Sequence, residues 1–200
     1  MKEHSQTIYF ATRNKGKYVE AAQIAKVFRI KLKQIKTEKI EIQSDQLEDI
    51  ASFAAKRASE TTQGSIVAED AGLFINNLQG FPGPYSAYVF KTIGNEGVLN
   101  LLRGAKDRNA SFRAVVSFAR PRRPSVCFAG EVKGIITRKP RGSKGFGFDP
   151  IFVPKHADGR TFAEMNTLEK NLLSHRAKAF IKFFTWLTMN ESSSLPRQVK

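Results

Sequence analysis

Residues 109–119 carry apolar side chains at alternate positions: Ala110, Phe112, Ala114, Val116 and Phe118. A period of two marks a strand with one apolar face. The turn Arg120-Pro121-Arg122-Arg123-Pro124 follows, and residues 125–137 read as the return strand of a long hairpin. That hairpin rules out an all-helical fold, and the chain before it rules out an all-β one. Residues 7–11 read as a short buried strand and residues 15–28 as a helix with Val19, Ala22, Ile24 and Val27 as its apolar stripe. Residues 30–35 alternate apolar with polar, as a one-sided edge strand does. Ser44 or Asp45 would cap a helix over 46–60. Residues 66–68 form a third short strand that ends in Glu69-Asp70-Ala71-Gly72. Gly80, Pro82, Gly83 and Pro84 fix an irregular loop. Residues 138–147 are a basic, glycine-rich loop, and residues 168–189 one long helix with Leu172, Ala179, Phe180, Phe183, Phe184 and Leu187 inward. Residues 190–200 read as a flexible tail. Strand–helix–strand units beside an antiparallel hairpin give an α/β fold with a central mixed β-sheet flanked by helices.

At 200 residues and 41 % hydrophobic content, the chain is long and apolar enough for a real core, which rules out wholesale disorder. No apolar run approaches a membrane span, and the apolar patch near the N-terminus is too short for a signal peptide, so a cytoplasmic protein is expected. With Cys127 the single cysteine, there is no intrachain disulfide or cysteine metal cage. The net charge of +15 attracts polyanions, and its distribution is uneven. Residues 1–39 carry net +7 and residues 120–144 net +7, whereas residues 40–119 carry net −2. A basic chain with a carboxylate-rich centre suits a metal bound together with a phosphate.

Four segments can carry that chemistry. Thr12-Arg13-Asn14-Lys15-Gly16-Lys17 joins a strand to a helix, where free backbone N–H groups, Thr and Asn donors and two lysines suit a phosphate. An ordinary turn with solvated lysines reads equally well from this segment alone. Asp70 stands at the expected C-terminal end of a buried strand, where open α/β sheets place ligands. Glu69 and Asp70 point to opposite faces if the strand persists. Glu41 is a second carboxylate, and two carboxylates plus phosphate oxygens make a Mg²⁺ site. The alternative for either acid is a cap or a salt bridge. In Gly145-Phe146-Gly147-Phe148-Asp149, the glycines admit a close ligand, the rings offer stacking faces, and Asp149 can accept from ring N–H groups. A tight turn with core phenylalanines is the other reading. On the last helix Lys170, Ser174 and His175 lie close at helical spacing, and Arg176 can donate to a keto oxygen; a solvated basic face is the plain alternative.

Four motifs occur together and in order: Thr12-x-Asn14-x-x-Lys17; Glu69-Asp70-x-Gly72-Leu73 with Gly80-x-Pro82-Gly83-Pro84-Tyr85-Ser86; Phe146-Gly147-Phe148-Asp149-Pro150; and Glu169-Lys170-Asn171 with Ser174-His175-Arg176. In this the sequence resembles the inosine triphosphate pyrophosphatase, or Ham1, family, which cleanses the nucleotide pool. The resemblance implies hydrolysis of ITP, dITP and XTP between the α and β phosphates, giving the monophosphate and pyrophosphate. It implies an elongated two-lobed domain over residues 1–189 with the active-site cleft between the lobes, a homodimer, and Mg²⁺ as cofactor. Carried over by position, Thr12, Asn14, Lys15, Lys17 and Lys56 would hold the phosphates, and Glu41 and Asp70 the metal, with Asp70 also the catalytic base. Phe146, Gly147, Phe148 and Asp149 would surround the base, completed by Lys170, His175 and Arg176. Ala71 replaces the family's usual Ser or Thr, so a backbone N–H contact survives there and a hydroxyl contact does not. The rival reading is a nucleic-acid-binding protein using the basic segment 120–144, but Phe128 is its only interleaved aromatic, which makes nucleic acid the weaker partner.

Overall fold

The computed structural model describes residues 7–37 and 42–192. Strands β1 (Thr7–Ala11), β2 (Lys31–Ile35), β3 (Ile66–Ile75), β4 (Pro82–Gly83), β5 (Asn109–Ala119), β6 (Val126–Ile136) and β7 (Phe152–Pro154) form one open sheet. Its order is β2-β1-β3-β5-β6-β7, with β4 added beside β3. β1 is parallel to β2 and β3, and the remaining pairings are antiparallel. The mixed sheet expected from strand–helix–strand units beside an antiparallel hairpin is therefore present.

Helix α1 (Lys15–Val27) and the C-terminal helix α6 (His175–Ser192) cover one face, and α2 (Leu47–Thr62) the other. β5 is thus buried on both faces, not one: Val115 packs under Leu47 and Ala51, and Ala119 under Ala55. The apolar face identified from the alternation divides between two cores. Ala114, Val116 and Phe118 join Ile8, Phe10, Ile24, Phe180, Phe183 and Phe184. Ala110 and Phe112 join Leu73, Ile75, Phe152 and Phe162 in a second core, covered by α3 (Ser86–Thr92) and α4 (Gly94–Leu101). The long β3–β5–β6 strands run through both cores, and the candidate site lies where the cores meet.

Several local expectations change. α1 buries Glu20, Ala21, Ile24 and Ala25, while Val19 and Val27 are exposed, so its core face is turned from the expected stripe. β3 does not stop before Glu69 but continues to Ile75, which puts Asp70 in mid-strand. Within the loop at 80–84, Pro82 and Gly83 pair with Phe74 and Leu73. This close approach requires Gly72, because a Cβ there would lie 2.2 Å from the Gly83 carbonyl oxygen. The single helix expected over 168–189 is two, α5 (Thr167–Leu173) and α6, broken at Ser174. Ser174 ends α5 by donating its N–H to the Lys170 carbonyl, and its Oγ accepts from the Ala177 N–H at 3.1 Å to start α6. α6 continues through Ser192, beyond the expected start of the tail, and residues 193–200 lie outside the described residues.

Candidate active site

β1 and β4 leave a notch along the edge of β3. β1 pairs with Ile66 and Val67, β4 pairs with Leu73 and Phe74, and no described strand lies beside Ala68–Gly72 on that side. Lys17 Nζ takes the Glu69 carbonyl at 3.3 Å, and the Leu73 N–H donates to Ser86 Oγ at 2.8 Å. Strand alternation then turns the Ala71 N–H toward the same open edge. The loop after β1 brings the N-terminus of α1 alongside. Asn14 caps this helix, its Oδ1 accepting from the Lys17 N–H at 3.1 Å. Thr12 Oγ1 accepts from the Asn14 N–H at 3.2 Å, and Lys15 is exposed at the helix start.

Beneath the notch lies a buried network of alternating charge. Lys17 Nζ is 2.8 Å from Glu69 Oε2, and Arg176 Nε donates to Glu69 Oε1 at 3.0 Å. Arg176 Nη1 donates to Glu20 Oε2 at 2.6 Å, Lys170 Nζ lies 2.8 Å from Glu20 Oε1, and it donates to Asp149 Oδ2 at 2.5 Å. Three cations thus face three carboxylates, the arrangement that makes buried charge tolerable. Lys170, His175 and Arg176 are each 2 % exposed, which removes the solvated-face reading.

The break at Ser174 builds this network. In one continuous helix, Lys170 and Arg176 would point about 120° apart. Across the break, both reach Glu20. The run Glu169-Lys170-Asn171 splits into three jobs. Glu169 closes a capping box with Asn166, Lys170 enters the network, and Asn171 Nδ2 ties α5 to α1 through the Glu20 carbonyl at 3.1 Å.

The loop before β7 completes the pocket wall. Asp149 Oδ2 also accepts from the Phe146 N–H at 2.9 Å, closing a turn that needs Gly145, where a Cβ would fall 2.1 Å from that same oxygen. The Phe146 ring is half-buried, with Lys170 Nζ 4.8 Å and Arg176 Cζ 5.3 Å from its centroid. It rests on Gly16, where a Cβ would come within 2.5 Å of the ring. Phe148 does not share this position. It is 3 % exposed and packs edge-on against Phe90 in the second core, so its ring is not free to stack on a ligand. Gly147, between them, takes a left-handed φ of 63°, and its carbonyl accepts from Asn95 Nδ2 at 3.4 Å.

Charge and burial set the protonation states. Burial pushes the Glu20 carboxyl up, but Arg176 and Lys170 more than offset this and hold it below its ordinary value. Asp149 shares Lys170, yet burial dominates and raises it, with the Glu20 charge adding to the rise. His175 is held neutral, well below 6.5, first by burial and then by Arg176, Lys170 and Lys17. Its ring stacks on Phe112 at 4.7 Å and 10°. Burial opposes the Arg176 charge, but Glu69 and Glu20 override it and raise its pKa further.

The carboxylates of β3 divide by face. Glu69 shares the α1/α6 side with Val67 and Ala71. Asp70 is half-buried on the α2 side, opposite Val115 in the ladder. Glu41 lies outside the described residues. Lys56 is exposed on α2 beside Arg120, Arg122 and Arg123, and is not brought to the notch. No group of three or more potential metal ligands occurs among the described residues. Mg²⁺ keeps much of its water and takes phosphate oxygens, so it needs no such cage, and Asp70 at the open strand edge fits that donor set. Glu20, Glu69 and Phe162, whose ring centroid lies 5.3 Å from Lys170 Nζ, are the participants not anticipated. Glu20 shares a helix face with Lys17 and with buried Ile24, but that spacing does not name its partners Lys170 and Arg176.

A model of the Ham1 family matches residues 8–186. The dITP/XTP pyrophosphatase of Methanopyrus kandleri is 48 % identical over 183 residues, covering 92 % of this chain and 97 % of that protein. The dITP/XTP pyrophosphatase of Thermococcus kodakarensis is 46 % identical, covering 90 % and 97 %. Among solved structures, the Ham1 protein of Staphylococcus aureus aligns with a TM-score of 0.79 at 29 % identity, covering 92 % of this chain and all of that one. The Coxiella burnetii HAM1 protein gives 0.79 at 32 %, covering 92 % and 99 %.

Proposed function

The chain belongs to the Ham1 family, and on that premise we propose that it hydrolyses the deaminated purine nucleoside triphosphates ITP, dITP and XTP to monophosphate and pyrophosphate. The observation that carries this reading is Arg176, fixed by Glu69 and Glu20 beside the Phe146 ring. Of its five N–H donors, two are spent on these carboxylates, leaving three that can serve a ligand. A donor held there favours a 6-keto acceptor over the 6-amino donor of adenine. Mismatch leaves a buried group unpaired, a loss of about 1–3 kcal/mol. The Asp149 carboxyl would accept from the N1–H that hypoxanthine and xanthine carry and adenine lacks. The network is charge-balanced, as suits a neutral base.

The triphosphate would occupy the notch, on Thr12, Asn14, Lys15 and Lys17 and the N-terminus of α1, with the Ala71 N–H at the strand edge. Asp70, with Glu41, would hold Mg²⁺, which when bound offsets phosphate charge. Asp70 is also the group assigned to orient and deprotonate the water that attacks the α-phosphorus. One carboxylate cannot be a tight metal ligand and a free base at the same moment, and both roles depend on it. Lys15 and Lys17 stabilise the charge that moves onto the leaving pyrophosphate. We also assign a homodimer, as the family resemblance implies, and a cytoplasmic location, as the apolar pattern of the sequence leads one to expect. No helix among the described residues is long and apolar enough to cross a membrane.

The test is turnover of ITP, XTP, GTP, ATP and a pyrimidine triphosphate with Mg²⁺, with products separated by chromatography. Monophosphate plus pyrophosphate is expected, with ITP and XTP far ahead of ATP. Asp70→Asn is expected to lower kcat by about 10²–10⁴-fold. Near-normal turnover of that variant at saturating Mg²⁺ would remove Asp70 from both roles.

A further inference from the structure

Away from the notch, the tip of the β5–β6 hairpin and the C-terminal half of α2 border an open hollow of about 340 Å³. Lys56, Arg120, Arg122 and Arg123 line it with one carboxylate, Glu60, so the lining carries net +3. Ile66 pairs with Ala119, which places Arg120 beyond the N-terminal end of β3. The notch opens past the C-terminal end of β1, which runs parallel to β3, so the two sites lie at opposite ends of these strands. Among the described residues, no ion pair neutralises Lys56, Arg122 or Arg123. Lys56, Arg122 and Arg123 repel one another more than the single carboxylate Glu60 can offset, and an anion relieves that repulsion.

Two further observations point inward. Ser59 lines the hollow and is 1 % exposed, yet its Oγ has no hydrogen-bond partner. Buried hydroxyls are rarely left so. The hairpin turn is closed by the Arg123 N–H donating to the Arg120 carbonyl at 3.2 Å, with Arg122 at a left-handed φ of 59°. Gly or Asn would hold that φ with less strain, but neither would put a guanidinium at the rim.

We propose that this hollow is a second anion site, separate from the catalytic notch, that takes a compact polyphosphate group: free pyrophosphate or the triphosphate tail of a nucleotide. The small volume, the convergence of Lys56, Arg122 and Arg123 and the hydroxyl donor fit a di- or triphosphate. Guanidinium groups donate to its oxygens in pairs. A nucleic-acid backbone fits less well, because the lining has no aromatic face on which bases stack. Lys56, which the family resemblance assigned to substrate phosphate, is placed to meet a phosphate here instead.

The test is a backbone amide NMR titration of the intact protein with inorganic pyrophosphate at constant ionic strength, without divalent cations. Saturable shifts at residues 56–60 and at Arg120, Arg122 and Arg123 of the 120–124 turn are expected, alongside those at 14–17. In Arg122→Asn/Arg123→Gln, the first set is expected to need roughly tenfold or more pyrophosphate. The second set, and ITP turnover, are expected to match the unaltered protein. Repeating the titration with a non-hydrolysable triphosphate identifies the source: equal response assigns the polyphosphate group itself, and a stronger response assigns a nucleotide tail. Shifts confined to 14–17, or shifts at 120–124 that equimolar chloride reproduces, would overturn the proposal. So would saturation by duplex DNA without saturation by pyrophosphate.

Discussion

The buried network under the notch and the basic hairpin tip are made of the same residue types and behave as opposites. In the network, Lys17, Lys170 and Arg176 are matched by Glu20, Glu69 and Asp149. At the tip, Arg122 and Arg123 are exposed and have no ion-pair partner among the described residues. Burial explains the difference, since a charge out of water needs its counter-charge and a solvated one does not. The net charge of +15 therefore says little about the candidate site, where the buried side chains balance. On the proposed reading, fixed donors there would meet a neutral base while the exposed N-terminus of α1 would meet the phosphates.

The contrast breaks most visibly in stability. Glu20→Gln leaves Lys170 and Arg176 short of an anion and is expected to lower the unfolding free energy by about 3–5 kcal/mol in denaturant titrations. A loss as small as that of a surface variant would mean that the network is solvated. Gly16→Ala pushes a methyl into the Phe146 ring and is expected to cost about 1–3 kcal/mol. It should also raise KM for ITP more than it lowers kcat, which steady-state kinetics resolve.

Acid should act on the network in stages. Folded His175 stays neutral while the unfolded chain takes up a proton below about pH 6.5, so stability falls as pH drops, by about 1.4 kcal/mol per unit. His175→Gln is expected to remove that slope in unfolding experiments between pH 6.5 and 5. Glu20 acts lower: its contribution is present above its ordinary value of 4.5 and is lost as pH falls through its depressed folded value. Asp149, raised by burial, has the opposite sign, and its contribution fades as pH rises through its folded value. The smallest effect belongs to the tip, where Arg122→Asn/Arg123→Gln should change stability by no more than about 0.5 kcal/mol.

The same contrast explains what was legible in the sequence. Strand alternation over 109–119, the turn after it and the strand–helix–strand order near the N-terminus pointed to the mixed sheet, because periodicity and turn chemistry are local signals. The motif residues Asn14, Lys17, Asp149, Lys170 and Arg176 were identified as a set, and they do meet around the notch. Periodicity could not show where α5 ends. Ser174 is a good N-cap residue, but Leu172 and Leu173 continue an apolar pattern across it. Glu20 was missed because a carboxylate on a core-facing helix position has meaning only when its cations, about 150 residues away, are known to reach it. Phe146 and Phe148 look equivalent in the sequence, and tertiary packing alone separates the ring at the pocket from the ring in the core.

Where water attacks the triphosphate decides the mechanism, and hydrolysis of ITP in ¹⁸O-labelled water, with both products analysed by mass spectrometry, reads that position. Attack on the α-phosphorus, as proposed, puts one ¹⁸O in the monophosphate and none in the pyrophosphate. Label in the pyrophosphate would place the attack on the β-phosphorus, and labelled orthophosphate with a nucleoside diphosphate would place it on the γ-phosphorus; either result would contradict the mechanism.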